Sequence, residues 1–218
     1  MKSAILISLL VITSLTCNFS VDKSIVVMDG DVLEKSQNTM NGDIDVGLNS
    51  KVDGDCRSVN GCVSIQEFAK VHHVQTVNGN VDAGRRSKIE GNIESVHGRV
   101  HCREGVQVMG NVRTVEGNVC CEQTHIRGSI YTNTGQISLC DESFLDGNII
   151  IQGGEHLMNP SETVEIIISD GSTVQGDVQV KDLHQRVVIF LSEDSHIEGS
   201  IQNAELIRMH PDQLGFLD

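Results

Sequence analysis

Glycine keeps a fixed beat through the middle of this chain, and a beat of that period leaves few folds open. Between Gly79 and Gly147 it falls at 79, 91, 98, 110, 117, 128, 135 and 147, so the spacings are 12, 7, 12, 7, 11, 7 and 12 and the repeat is 19 residues. Most of these glycines end an apolar-x-Gly triplet, as in Val77-Asn78-Gly79, Ile89-Glu90-Gly91 and Val96-His97-Gly98, and most precede x-Val or x-Ile. A fixed period of about 20 residues with alternating apolar positions is the signature of a coil stacked on copies of itself.

Overlaying the glycines at the short gap aligns Gly61, Gly79, Gly98, Gly117 and Gly135. Two residues later stand Val63, Val81, Val100, Val119 and Ile137, and four later Ile65, Ala83, Cys102, Cys121 and Leu139. A strand has a side-chain period of two, so both columns point inward, while Ser64, Asp82, His101, Cys120 and Ser138 face solvent. The expectation is an all-β, single-stranded β-solenoid of roughly eight coils, a rod on the order of 40 Å long at ~4.8 Å per coil. A period that does not divide by six points to a right-handed coil. Each corner needs either positive φ or a backbone without a Cβ in the way, which glycine supplies. Asn80, Asn92, Asn111, Asn118 and Asn148 follow glycines and either bond along the stack or face water.

The composition agrees. The 218 residues are rich in Val, Ile, Gly, Asn and Thr, aromatics make up 3% and there is no Trp, a mix of strands and tight turns rather than of helices. The net charge of −14 excludes a basic footprint for phosphate, so nucleic acid is not an expected partner.

Residues 1–16 read as a signal peptide, with Lys2 followed by an apolar run from Ala4 to Ile12. Residues 17–41 read as a linker with a lead-in strand at Ile25-Val26-Val27, and 42–154 as the regular coils. Residues 155–205 form two wider coils: Ile166 to Gly176 matches Ile189 to Gly199, 23 residues on, with loop insertions at 155–163 and 181–186 that leave the stack at one azimuth. Residues 206–218 form a cap or tail, in which Leu214, Phe216 and Leu217 cover the last coil.

The segment Ser14-Leu15-Thr16-Cys17 resembles the lipobox of bacterial lipoproteins, which implies acylation of Cys17 and membrane attachment through it; cleavage after Thr16 or Ser20 without a lipid is the alternative. Thr76 to Gly79 and Thr114 to Gly117, set within Gly-x-Val ladders, resemble the repeats of exported bacterial adhesin-like β-solenoid domains and of bactofilins, the polymer-forming β-helices. The first resemblance implies an exported protein of the periplasm or cell surface. The second implies self-association through the solenoid ends. Neither brings catalytic residues.

Candidate chemistry is sparse. Cys56 takes a place filled elsewhere by Ile93, Val112, Ile130 or Ile149 and reads as core. Cys102 and Cys121 share an inward column on adjacent coils, within reach of a disulfide. No Cys-x-x-Cys pair or zinc spacing occurs along the chain, and no cofactor is expected. The densest polar cluster is Glu155 and His156 in one insertion with Asp182 and His184 in the other, a candidate metal or acid–base site if the loops stack. The reading that follows is a non-enzymatic, exported β-solenoid with a structural or surface-interaction role in the bacterial envelope. Its alternatives are a self-assembling polymer former and an envelope enzyme or metal-binding protein using the two inserted loops.

Overall fold

Short runs such as Val63-Ser64-Ile65 and Val81-Asp82-Ala83 put apolar side chains on one face of an extended backbone and polar ones on the other, and each pairs in parallel with its counterpart one coil away. The computed structural model describes residues 18–153 and 163–209, and among these residues it is all-β with no helix. Three parallel sheets run along the stack. The first has ten strands, from Asn18–Ser20 to Ile201–Gln202; the second has ten, from Ile25–Val27 to Glu205–Met209; the third has nine, from Val32–Leu33 to His196–Ile197. The chain visits the three sheets in turn and makes about nine turns at a spacing of about 19 residues.

The core is a set of columns. Val63, Val81, Val100, Val119 and Ile137 are successive register partners in the second sheet, and all are buried. The column continues to Ile44 at one end and to Ile166 and Ile189 at the other. Ile65, Ala83, Cys102, Cys121 and Leu139 form the second inward column of that sheet. Cys56 pairs with Val74, with no exposed surface, as a small core residue does.

The stack begins one coil earlier than the glycine beat suggests. The stretch 17–41, expected to be a linker with one strand, contains the first coil: Asn18–Ser20, Ile25–Val27 and Val32–Leu33 pair with the strands of the coil above. The reason lies in what the glycines do. A Cβ on Gly42 would meet the Lys23 carbonyl carbon at 2.6 Å, and one on Gly61, Gly79, Gly98 or Gly117 would overlap the carbonyl oxygen of the beat glycine one coil before. Glycine is therefore needed where a coil sits against an earlier one. Lys23 and Lys35 stand at those places in the first described coil, which has no earlier coil beneath it among the described residues.

Positive φ is placed elsewhere. Of the beat glycines from Gly79 to Gly147 only Gly135 has it, whereas the corner between the second and third sheets holds Asn49, Phe68, Arg86, Gln123 and Glu142 in the left-handed region. In the C-terminal coils Ile149 pairs with Val178 and then Ile201, and residues 181–186 connect a first-sheet strand to the following second-sheet strand; residues 154–162 of the other insertion lie outside the described residues. The cap residues Leu214, Phe216 and Leu217 lie outside the described residues, while Glu205–Met209 adds a strand to the end of the second sheet.

Side chains at the corners form ladders of their own. The oxygens of Asn92, Asn111 and Asn148 accept the backbone N–H of Asn111, Ser129 and Asp177, at 2.9, 2.9 and 2.7 Å. Asn80 and Asn118 do the same for Arg99 and Gln136 at another corner. All five asparagines thus bond along the stack. At His73, one residue after the place where the beat omits a glycine, the ring Nδ1 serves as the rung and accepts the Asn92 N–H at 2.8 Å. Asp177 continues the ladder; the Ser200 N–H, and then the Ser200 hydroxyl, hold its carboxyl below the usual value.

Removing a rung leaves a half-buried N–H without a partner. Asn111→Leu is expected to cost about 1–2 kcal/mol, and Asn111→Asp, which keeps the accepting oxygen, markedly less, in urea denaturation followed by circular dichroism. A second ladder runs from Thr124 through Ser143, Ser172 and Ser195: the three serine hydroxyls accept at 3.1 Å from the N–H of Thr124, Ser143 and Ser172, one coil before. Ser87 occupies the same column between Ala69 and Val106, and its Oγ is buried without a hydrogen-bond partner. Ser87→Ala is therefore expected to raise stability by about 1 kcal/mol, by relieving that desolvated hydroxyl. A loss in Tm on this substitution contradicts it.

Candidate functional site

The outward side chains of each strand, with the corners beside them, are the surface on which any chemistry must be built. Three outward residues of the second sheet converge: His101 on Val100–Cys102, and Cys120 and Glu122 on the neighbouring strand Val119–Glu122. Register places His101 beside Cys120, and Glu122, two residues on, returns to the same face. Their ligating atoms lie within 4.8 Å of one another. His101 Nε2 is 3.0 Å from Glu122 Oε1, and its Nδ1 is 3.6 Å from Asp82 Oδ1, on the strand to the other side. The imidazole is thus held between two carboxylates and is only 17% exposed. Burial, and then the charge of Glu122, push the Cys120 thiol above its ordinary value. Cys140, the register partner of Glu122, is pushed up to about 12, first by burial and then by Asp141.

His101 and Glu122 also line an open groove of about 830 Å³ along the corner between the second and third sheets. Seven carboxylates, among them Glu104, Asp141, Asp170 and Asp194, and two guanidinium groups, Arg85 and Arg103, share its walls. That excess of negative charge raises the local concentration of cations.

A second group, Asp55, His72 and His73, also brings its ligating atoms within 4.8 Å. It is already committed to structure. His73 Nδ1 accepts the Asn92 N–H, and Asp55 is held by Arg57 at 2.6 Å and by His72 at 2.9 Å.

Of the residues picked out from the sequence, Cys17, Glu155 and His156 lie outside the described residues. Asp182 and His184 form a local turn, in which the His184 N–H donates to Asp182 Oδ1 at 2.9 Å and the ring stands 92% exposed. Cys102 and Cys121 are register partners, both fully buried, and all six described cysteines are free thiols. Contact with the Cys102 thiol, and then burial, hold the Cys121 thiol well above its ordinary value. Iodoacetamide is expected to label neither cysteine in the native protein and both after unfolding without reductant, as read by peptide mass spectrometry. A Cys102–Cys121 cross-linked peptide contradicts the free-thiol arrangement.

His101 and Cys120 are legible as neighbours in the outward column, but Glu122 is not, because its approach depends on how adjacent coils align. A search for ligand spacing along the chain cannot find a group such as His101 that is brought to Cys120 and Glu122 from the coil before. Comparison of the chain with protein-family models, with curated proteins and with solved structures finds no match in any of the three.

Proposed function

We propose that this protein is a non-enzymatic, exported β-solenoid with a structural or surface-interaction role in the bacterial envelope, attached to a membrane by an acylated Cys17. The observation that carries this reading is the continuity of the stack. Three parallel sheets, one continuous core of buried apolar columns and ladders of corner side chains make a stiff support for repetitive polar faces. Such a body displays surface at low conformational cost, since each coil is held by the ones on either side. The resemblance to exported adhesin-like repeats, and the apolar run after Lys2, favour the envelope as its place.

Fractionation of the native host, with mass spectrometry of the mature N-terminus, tests this reading. The expected result is envelope-bound protein beginning at a lipid-modified Cys17. Intact chain starting at Met1 in the cytosol overturns it.

End-to-end assembly in the manner of bactofilins is the second reading, and one observation favours it. Among the described residues, six of the nine exposed large apolar side chains lie on the two terminal strands and coils, Val21, Val26, Met28 and Val32 on the first described coil and Leu206 and Ile207 on the last described strand, with Leu48, Phe68 and Leu183 elsewhere. An exposed strand edge with apolar side chains invites pairing with another chain. Light scattering coupled to size-exclusion chromatography separates the two readings. A single rod at micromolar concentration fits display alone; a concentration-dependent series of lengths fits assembly.

A further inference from the structure

We propose that His101, Cys120 and Glu122 form a binding site for one zinc ion on the outer face of the second sheet. The donor set is the first reason. A thiol, an imidazole and a carboxylate together suit a borderline transition metal; magnesium and calcium prefer oxygen alone. Three protein ligands with a fourth position left for water make the arrangement of an open zinc site.

Geometry is the second reason. Ligands around a tetrahedral zinc lie about 3.5 Å from one another. The three donor atoms are already within 4.8 Å, and two of them are 3.0 Å apart. Rotation of side chains on a backbone fixed by parallel pairing is enough to close the set. The third reason is the support behind His101. Asp82 Oδ1 lies 3.6 Å from Nδ1, the ring nitrogen away from Glu122; this is an ion-pair contact, and a small rotation would let the carboxylate accept from Nδ1–H and favour coordination through Nε2.

Binding proceeds with a balanced exchange of protons. The Cys120 S–H bond breaks, its proton leaves to solvent, and the thiolate forms the bond to zinc. The proton that Nε2 shares with Glu122 leaves to solvent while Nδ1, on the Asp82 side, takes one up, so the Nε2 lone pair is freed for the metal and the net release is the thiol proton. The hydrogen bond between His101 and Glu122 is replaced by two bonds to the ion. The acidic groove beside the site supplies the attraction that brings the cation there.

Cobalt is the probe that reads the ligands directly. The full chain, reduced, stripped with a chelator and kept free of oxygen, is titrated with Co²⁺. A thiolate-to-cobalt charge-transfer band in the near ultraviolet is expected, saturating at one ion per chain and bleached by Zn²⁺. Cys120→Ser is expected to abolish the band, Cys140→Ser to leave it, and Asp82→Asn to weaken cobalt binding about tenfold. In the unaltered protein, Zn²⁺ is expected to slow alkylation of Cys120 and leave that of Cys62 unchanged, a readout that needs no variant to fold. Absence of the band in the unaltered chain overturns the proposal, as does its survival in folded Cys120→Ser, its loss on His72→Ala, or alkylation of Cys120 indifferent to zinc.

Discussion

Replacing Gly98 with alanine is expected to destabilise the stack by about 3 kcal/mol, the upper end of the range for overpacking by a single methyl group. The added Cβ would overlap the Gly79 carbonyl oxygen and lie 2.5 Å from its carbon. Neither side can retreat cheaply. Around the contact, the Val81 N–H donates to the Arg99 carbonyl at 2.8 Å and the His97 N–H to that of Val77 at 2.9 Å, so separating the coils breaks the ladder. Gly30→Ala is the control. It has positive φ but open space where its Cβ would be, and is expected to cost only about 1–2 kcal/mol, through backbone strain. Urea denaturation gives the comparison, and hydrogen exchange shows whether protection is lost in the coils on both sides of residue 98. If Gly98→Ala costs no more than Gly30→Ala, close approach of the coils is not what these glycines serve.

Ile137→Ala is expected to cost roughly 2–5 kcal/mol, whereas Ser138→Ala, one residue along the same strand, should change stability by no more than about 0.5 kcal/mol. Ile137 has no exposed surface and stacks between Val119 and Ile166, so its truncation leaves a cavity that paired strands on both sides cannot collapse to fill. Ser138 points outward between Cys120 and Ile167. The contrast between adjacent residues tests the alternation itself. Equal losses at 137 and 138 would mean that the strand is not one-sided, and the columns of the core would have to be redrawn.

The regular coils were readable because their rules are local. Val63, Val81, Val100, Val119 and Ile137 each stand two residues after a beat glycine, and the same short distance places them inward in every coil. The first coil was not readable as part of the stack, since its Lys23 and Lys35 have no earlier described coil to approach and so need not be glycine. His73 hid its role for a different reason. Counting twelve from Gly61 puts His73 where a glycine is due, but pairing sets His72 opposite Gly91 and His73 opposite Asn92, where its ring nitrogen continues the ladder that asparagine keeps elsewhere. Positive φ at Phe68 and Arg86 carried no signal, because nothing in those residue types announces a left-handed backbone.

By itself, then, the sequence determined that the chain coils, where the turns of the regular coils fall and which of their side chains point inward. Glycine spacing and two-residue alternation act over a few residues, and repetition makes them unmistakable. Only the tertiary structure decided which outward groups meet. His101 reaches Glu122 across 21 residues of chain, and Asp82 lies behind it on the coil before. That meeting follows from the alignment of separate coils, which sets His101 beside Cys120 and so brings Glu122, two residues on, to the same face. Alignment of this kind is set by pairing across the whole stack, and no short stretch of the chain contains it.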